Sequence, residues 1–505
     1  MNKKELEQLE LMKKAHQKSN NDIAKAYTQS SSATSGITAY DLEAPAKSLF
    51  PVMTPLRNSI ARLTGGMGIQ ANWRAVTGIN TSNIGIGLSD GQRGYVMNQS
   101  TKDYIAKFAF FGLNNSVSFE ADYASQGFED LKALASKNLL QAVMIQEELL
   151  DMSGNNSLPL GTTPTPTLTT STSGGSLPAT TSINVYCVAL SQRGWYQVVG
   201  TNNGLTNGNA TSLAAVSLQA TFTLTDTGDN SSNTVPGGIA QKSAVANITT
   251  GTGSTNSISA SVNPIAGAFG YAWFWGTTGN ELLGAVTSIN AVSITATATG
   301  TQNISSLPAS DNSFDNLVYD GILTQCFKSG SGSYVQAINN GTLTSDGAGG
   351  VNEIDQALAS FWNNYRLSPD IMYVSGNVQL YINKLVILNS GAPLVRYQGD
   401  FEGSKDFQAG TMVTSYLNKI TGQSIQIKVH PNAMPGSILF YSSSIPYPVS
   451  DVGNVLVKKL RRDYFQIEWP FRTRKYEFGV YFDGVLQNYF PPAFGVIYNI
   501  NENLA

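Results

Sequence analysis

The clearest helical periodicity runs from residue 128 to residue 152, where Phe128, Leu131, Ala135, Leu139, Ala142, Ile145 and Leu149 recur every three or four positions. That spacing predicts one amphipathic helix about 37 Å long, laid along a sheet and stopped near Gly154. Glu147 and Glu148 are neighbours on it and diverge with the helical turn, so they are expected to solvate the helix rather than form an acid–base pair. Before it, residues 73–79 and 104–110 alternate with period two around the glycine-rich segment 83–94, predicting a projecting β-loop within residues 65–115. Leu6, Leu9, Met12 and Ala15 repeat at helical spacing in a segment with six Lys against four acidic residues, predicting an amphipathic arm over residues 3–27. Pro45, Pro51 and Pro55 make the apolar stretch 40–60 extended or turn-rich. After Asp311 the pattern is mixed, with helices at 353–365 and 376–388, a strand at 371–374 and further strands up to Ile500. This is an α+β arrangement.

Composition changes the picture in the middle of the chain. Residues 158–310 carry only Arg193, Asp226, Asp229, Lys242 and Glu281 as charged groups, although 13% of the whole chain is charged. The Pro/Thr/Ser-rich segment 161–181 reads as the linker into this module. Strand-like runs follow at 183–190, 195–199, 213–224, 238–248, 257–262, 269–275, 282–287 and 291–298, the pattern of an immunoglobulin-like or fibronectin-type sandwich. Trp195, Trp273 and Trp275 are then either its core or exposed aromatics able to stack on sugar rings. The simplest organisation is one α+β parent fold interrupted by an inserted all-β sandwich.

Candidate chemistry is sparse. With two His and two Cys in 505 residues, His16 and His430 cannot form a three-histidine site, and no metal or cofactor is expected. Cys187 and Cys326 read as small buried hydrophobes, with a single disulfide between them still open. Gly66, Gly68 and Ala71 spell a dinucleotide-type pattern, but the residues that follow look extended rather than helical, so cofactor binding is not expected. Asp311 and Asp315 lack the rest of a calcium loop and read as polar linker. The start of the chain is charged from its third residue, unlike a signal peptide, and the longest apolar run, 266–275, is too short to span a membrane. The net charge of −3 excludes a globally basic nucleic-acid binder. Locally, however, Lys458, Lys459, Arg461, Arg462, Arg472, Arg474 and Lys475 face only Asp463 and Glu468. Such a cluster suits either a phosphate backbone or salt bridges between subunits, although strand alternation would send its charges to both faces.

Residues 40–62 (YDLEAPAKSLFPVMTPLRNSIAR), 368–385 (SPDIMYVSGNVQLYINKL) and 472–500 (RTRKYEFGVYFDGVLQNYFPPAFGVIYNI) together resemble the major capsid proteins of tailed double-stranded DNA bacteriophages, the Hong Kong 97-like fold. The resemblance implies an N-terminal arm over 1–39, and an extended loop and peripheral domain with its spine helix over 40–157. It implies an immunoglobulin-like insertion domain over 158–310, and peripheral and axial domains over 311–505, the axial part drawn largely from 371–444. It further implies a non-enzymatic chain that assembles in the host cytoplasm into hexamers and pentamers of a virion shell. Portal, scaffold and auxiliary head proteins would be partners, and packaged double-stranded DNA would be held by non-specific contact. Only about 39 residues precede the first family-like segment, which points to a separate scaffold. No motif transfers the Lys–Asn crosslinking of some relatives. The alternative is a surface adhesin whose sandwich binds glycans.

Overall fold

The structure, a computed structural model, describes residues 51–79, 87–94, 97, 99–126, 129–199, 213, 216–226, 230–389 and 412–502. The expected arm, Phe128 and part of the glycine-rich tip lie outside these. Residues 120–131 form a contact unit separate from 49–119 and 132–505. The helix Phe119–Ala124 has Glu120 and Asp122 in its first turn, where acidic groups complement the helix dipole.

The larger unit is α+β, as the mixed pattern predicts. One sheet of four strands has the order Ala61–Leu63, Leu456–Glu468, Lys475–Asn488, Ala109–Ser118, with the first pair parallel and the others antiparallel. Another of six strands runs Tyr334–Ala337, Gly495–Tyr498, Ile438–Tyr441, Ile371–Val374, Ser424–Val429, Ser415–Leu417. The predicted later helices occur at Asn352–Tyr365 and Gly376–Asn389. The long helix spans Leu131–Ser153 and buries Leu139, Val143, Ile145, Leu149 and Met152. Its end is fixed by two glycines. A Cβ on Gly154 would lie 2.4 Å from the carbonyl oxygen of Tyr319, and one on Gly321 would lie 2.5 Å from that of Leu150. Only glycine allows this close backbone approach, which brings Tyr319 beside the last helical turn.

Apart from the two-stranded pair Thr221–Thr225 with Ser232–Pro236, the described residues of the neutral middle segment form two sheets. Thr167–Ser171, Ser257–Ser261 and Ala291–Ile294 make one, and Ala246–Thr249, Ser182–Leu190, Gly270–Gly276 and Leu282–Thr287 make the other. Leu168, Ile258, Ala260 and Ile294 of the first and Val185, Cys187, Tyr271 and Trp273 of the second share one apolar cluster. Three expectations need correction here. Part of the supposed linker is the strand Thr167–Ser171, because β-branched Thr fits an exposed edge strand as well as a linker. Residues 195–199 belong to the helix Gln192–Val199, started by the Trp195 N–H to Ser191 carbonyl bond and closely abutted at Gly194 by the Gly238 carbonyl. Among the described residues the run 213–224 supplies a strand only at Thr221–Thr225, and 238–248 only at Ala246–Thr249.

Trp273 is wholly buried and Trp275 nearly so, and their indole N–H groups donate to Thr287 Oγ1 and the Ala296 carbonyl. The exposed-aromatic reading therefore fails for both, because their inward-facing strand positions and satisfied N–H groups make them core. Trp195 is half-buried against Gly270, where a Cβ would meet its ring at 2.3 Å. Cys187 and Cys326 are buried free thiols. Trp273→Ala is expected to destabilise the chain by about 3–5 kcal/mol, read by denaturant unfolding followed through fluorescence. A loss below about 1 kcal/mol would mean that the indole does not carry the core.

Candidate functional site

The basic cluster of strand Leu456–Glu468 is divided by that strand's own geometry. Leu456, Lys458 and Leu460 alternate onto the buried face, so Lys458 is 1% exposed and not a surface cation. That corrects its assignment to a DNA-facing or inter-subunit surface. Irregular register between Leu460 and Arg462, and again before Phe465, breaks the alternation and leaves both Arg461 and Arg462 exposed. Arg461 is already engaged, pairing with Asp483 (2.9 and 2.8 Å), donating to the Gly68 carbonyl (2.7 Å) and lying 4.9 Å from the Phe108 ring centre. Arg462 stacks on Phe465 at 4.1 Å. Arg472, Arg474 and Lys475 are exposed around the turn into the next strand, near the exposed Trp469 and Phe471, and Lys459 is half-buried. The cluster is thus one core cation, Arg461 paired with Asp483, a half-buried Lys459 and otherwise exposed groups.

Lys458 enters a buried charge network built on the last turns of the long helix. Glu147, Glu148 and Asp151 are all fully buried, which overturns the expectation that the two glutamates solvate the helix. They do diverge, as the helical turn requires. Glu147 takes Arg62 Nη1 (2.8 Å), Arg57 Nε (3.0 Å), Lys458 Nζ (3.4 Å) and the Tyr464 hydroxyl. Arg62 also reaches Asp463 at 2.6 Å. Asp151 Oδ1 accepts from the Tyr319 hydroxyl (2.8 Å) and from Lys458 Nζ, which lies 4.3 Å from the centre of the Tyr319 ring. The buried carboxylates Glu147 and Asp151 and the half-exposed Asp463 thus meet three cations, so the charges removed from water are paired.

The two helix carboxylates on this side are not equivalent. Burial pushes Glu147 up, but Lys458, Arg62, the Tyr464 hydrogen bond and Arg57 together hold it below the usual carboxylate range. Asp151 is pushed up to about 6 because it is fully desolvated and Glu147 repels it, while Lys458 is its only facing cation. Burial likewise raises the Tyr319 hydroxyl.

On the other side of the helix, Glu148 takes the backbone N–H groups of Leu56 (3.0 Å) and Arg57 (2.6 Å). These open the short helix Pro55–Ser59, whose own Thr54 makes no side-chain cap. Glu148 therefore caps it from a distance of 92 residues in sequence. His430 follows the strand Ser424–Val429. Its Nδ1 accepts the Asn432 N–H at 3.1 Å, so its proton sits on Nε2 and is donated to Glu148 at 2.6 Å. Periodicity of apolar residues misses this cluster. A signal was present nonetheless, since three acids in the last two turns oppose the helix dipole and imply partners elsewhere.

A second feature is the antiparallel hairpin Gln70–Ile79 with Gln99–Lys107, anchored where Trp73 opposes Tyr104 and stacks on it at 5.6 Å. Arg74 and Asp103 pair across it at 2.6 Å. Met67, Ile69, Val76, Ile79 and Ile105 on or beside this ribbon are each more than half exposed.

No family model matches the chain, and no curated protein matches it. Among solved structures it is similar to the capsid of a native GTA particle, at 8% identity and TM-score 0.40, covering 92% of this chain and 95% of that one. It is similar to the capsid of Myoviridae phage XM1, at 9% identity and TM-score 0.39, covering 91% and 95%. The mature capsid of bacteriophage PhiM1 aligns at 10% identity and TM-score 0.37, covering 94% and 95%.

Glu148→Ala removes the acceptor for three buried donors and is expected to cost roughly 3 kcal/mol, measured by chemical denaturation. A neutral outcome would show that water replaces the carboxylate. Glu147 has a depressed folded pKa, so its stabilisation is present above the unfolded value near 4.5 and is lost as pH falls through the folded one. Glu147→Gln is therefore expected to be less stable than the natural chain by roughly 2 kcal/mol at about pH 7, with the gap closing below about pH 4. A gap unchanged by acid would exclude the carboxylate's charge as its source.

Proposed function

We propose that this chain is the major capsid protein of a tailed double-stranded DNA phage, a structural protein whose work is to enclose. The observation that carries this reading is the hairpin Gln70–Ile79/Gln99–Lys107. A ribbon of two strands is marginal in water, yet this one displays Val76 and Ile105, each 60% exposed, and has Met67 and Ile69 at its base, each more than 80% exposed. Val76 and Ile105 lie on the face shared by Arg74 and Asp103, opposite the Trp73–Tyr104 face. Burial of this apolar surface must come from neighbouring copies. The three sequence segments that resemble tailed-phage capsid proteins point the same way.

In this reading hexamers and pentamers close an icosahedral head, and many weak ribbon contacts add to a firm lattice. Residues 1–39 serve as the arm, 40–157 hold the extended loop and spine helix, and 311–505 complete the peripheral and axial domains. Residues 158–310 are an immunoglobulin-like insertion on the outer surface. Arg462, Arg472, Arg474, Lys475 and Lys459 supply non-specific phosphate or inter-subunit contacts. A separate scaffold, a portal and auxiliary head proteins complete assembly in the host cytoplasm.

The test is electron microscopy of the expressed chain beside Val76→Asp and Ile105→Asp. Both variants are expected to keep the native unfolding transition while particle yield falls about tenfold or more, since an exposed charge costs nothing until the face is covered. Undiminished shells from both variants would refute the ribbon's role. A stable natural monomer that never assembles would refute the function.

A further inference from the structure

We propose that Lys458 and Asp151 condense within the folded chain to an amide, stapling the strand Leu456–Glu468 to the end of the long helix. The two side chains are 1% and 0% exposed, are hydrogen-bonded Nζ to Oδ1, and lie 307 residues apart in sequence. Three features of their surroundings fit condensation better than a permanent ion pair. Asp151 Oδ2 is buried and has no hydrogen-bond partner, so one oxygen of the supposed carboxylate gains nothing from its charge. The Tyr319 hydroxyl donates to Oδ1 at 2.8 Å, placed to polarise the carbonyl. Glu147, fully buried with an oxygen 3.4 Å from Nζ, is a carboxylate at hand to carry a proton. The Tyr319 ring at 4.3 Å and the Phe482 ring at 5.7 Å flank the amine on a side that water does not reach.

The step balances without any further reagent. A proton moves from the Lys458 ammonium to Asp151 Oδ2, giving amine and carboxylic acid. This transfer is eased because desolvation raises the Asp151 carboxyl to about 6. The amine lone pair attacks Cγ, and the displaced electron pair rests on Oδ1 beside the Tyr319 hydroxyl. Glu147 takes a proton from the nitrogen and passes it to Oδ2. The C–Oδ2 bond then breaks, the carbonyl re-forms, and Oδ2 departs as water with both protons. One C–N bond replaces one C–O bond, nothing is oxidised, and a buried positive and a buried negative charge disappear together, which removes their desolvation cost. Glu147 remains paired with Arg57 and Arg62. A cross-link between such distant positions would restrict the unfolded chain strongly.

Mass spectrometry of the purified full chain, denatured, tests this independently of any shell. The expected intact mass is one water, about 18 Da, below that of the sequence, with a branched proteolytic peptide joining Lys458 to Asp151. Lys458→Met and Asp151→Ala should restore the full sequence mass, and Glu147→Gln should restore all or most of it while leaving both partners present. The full sequence mass in the natural chain, with the two peptides recovered separately, overturns the proposal. So does a water loss that maps elsewhere, for example to the Asp320–Gly321 pair, or that persists in Lys458→Met.

Discussion

Carrying charge out of water costs several kcal/mol per ion unless counter-charges and hydrogen bonds replace the solvent, and this chain meets that constraint where its distant parts cross. Glu147 and Asp151 lie one helical turn apart and therefore share a face. To bury them, the fold must deliver Lys458 from a strand near the C-terminus and Arg57 and Arg62 from the segment that opens the described chain. Remove any one of these elements and the remaining charges lie uncompensated in an apolar setting. The helix end, the parallel pairing of Ala61–Leu63 with Leu456–Glu468, and the loop carrying Tyr319 are thereby conditional on one another. The Gly154–Gly321 contact serves the same end, since a side chain at either position would push Tyr319 away from Asp151.

The hairpin answers to the opposite constraint. Its residues are ordered by a ladder of hydrogen bonds, the stacked Trp73–Tyr104 pair, the edge contact of Trp73 with Tyr489 and the Lys102 bond to the Gly330 carbonyl, while Val76 and Ile105 stay in water. Charged groups are thus concentrated in the buried network, and exposed apolar groups along one face of the ribbon. The neutral middle segment follows the same division. Its few described charges are all engaged: Arg193 with Asp315, Asp226 with Asn114, Glu281 with Asn184, and Lys242 with the carbonyls of Ile304 and Leu307. Its surface is therefore left to Ser, Thr and Asn.

Apolar period was enough to place the long helix to within a few residues, the later helices, the first hairpin strand and most strands of the two-sheet unit, but it ran the second hairpin strand, Gln99–Lys107, into Ala109–Ser118 of the four-stranded sheet because Phe108 and Phe110 continue the alternation. It misplaced residues 195–199 because two adjacent aromatics, Trp195 and Tyr196, followed by two valines fit either period, and the Ser191 carbonyl and the close Gly194–Gly238 approach decide for helix. Thr167–Ser171 was hidden by composition, as Thr-rich sequence serves both linkers and edge strands. The largest misreading was electrostatic. Glu147, Glu148 and Lys458 look like solvated charges to any method that counts polarity, and their burial depends on partners 85 to 317 residues away in sequence. Alternation in Leu456, Lys458 and Leu460 did hold the answer for the lysine, since its two neighbours on that face are core.

The long sequence separations in the network also constrain how the molecule comes together. Contacts across such intervals form only after much chain entropy has been lost, so the acids at the helix end stay hydrated until strands from both ends of the chain are in place. Docking of Arg57 and Arg62 is then inseparable from the desolvation of Glu147, and Glu148 closes the same event by capping Leu56 and Arg57 while holding His430, which follows a strand of the six-stranded sheet. One helical turn thus receives the N-terminal segment, the four-stranded sheet and the six-stranded sheet in a single electrostatic step. A junction of this kind couples the three elements, since losing one of them leaves the buried charges of the others uncompensated.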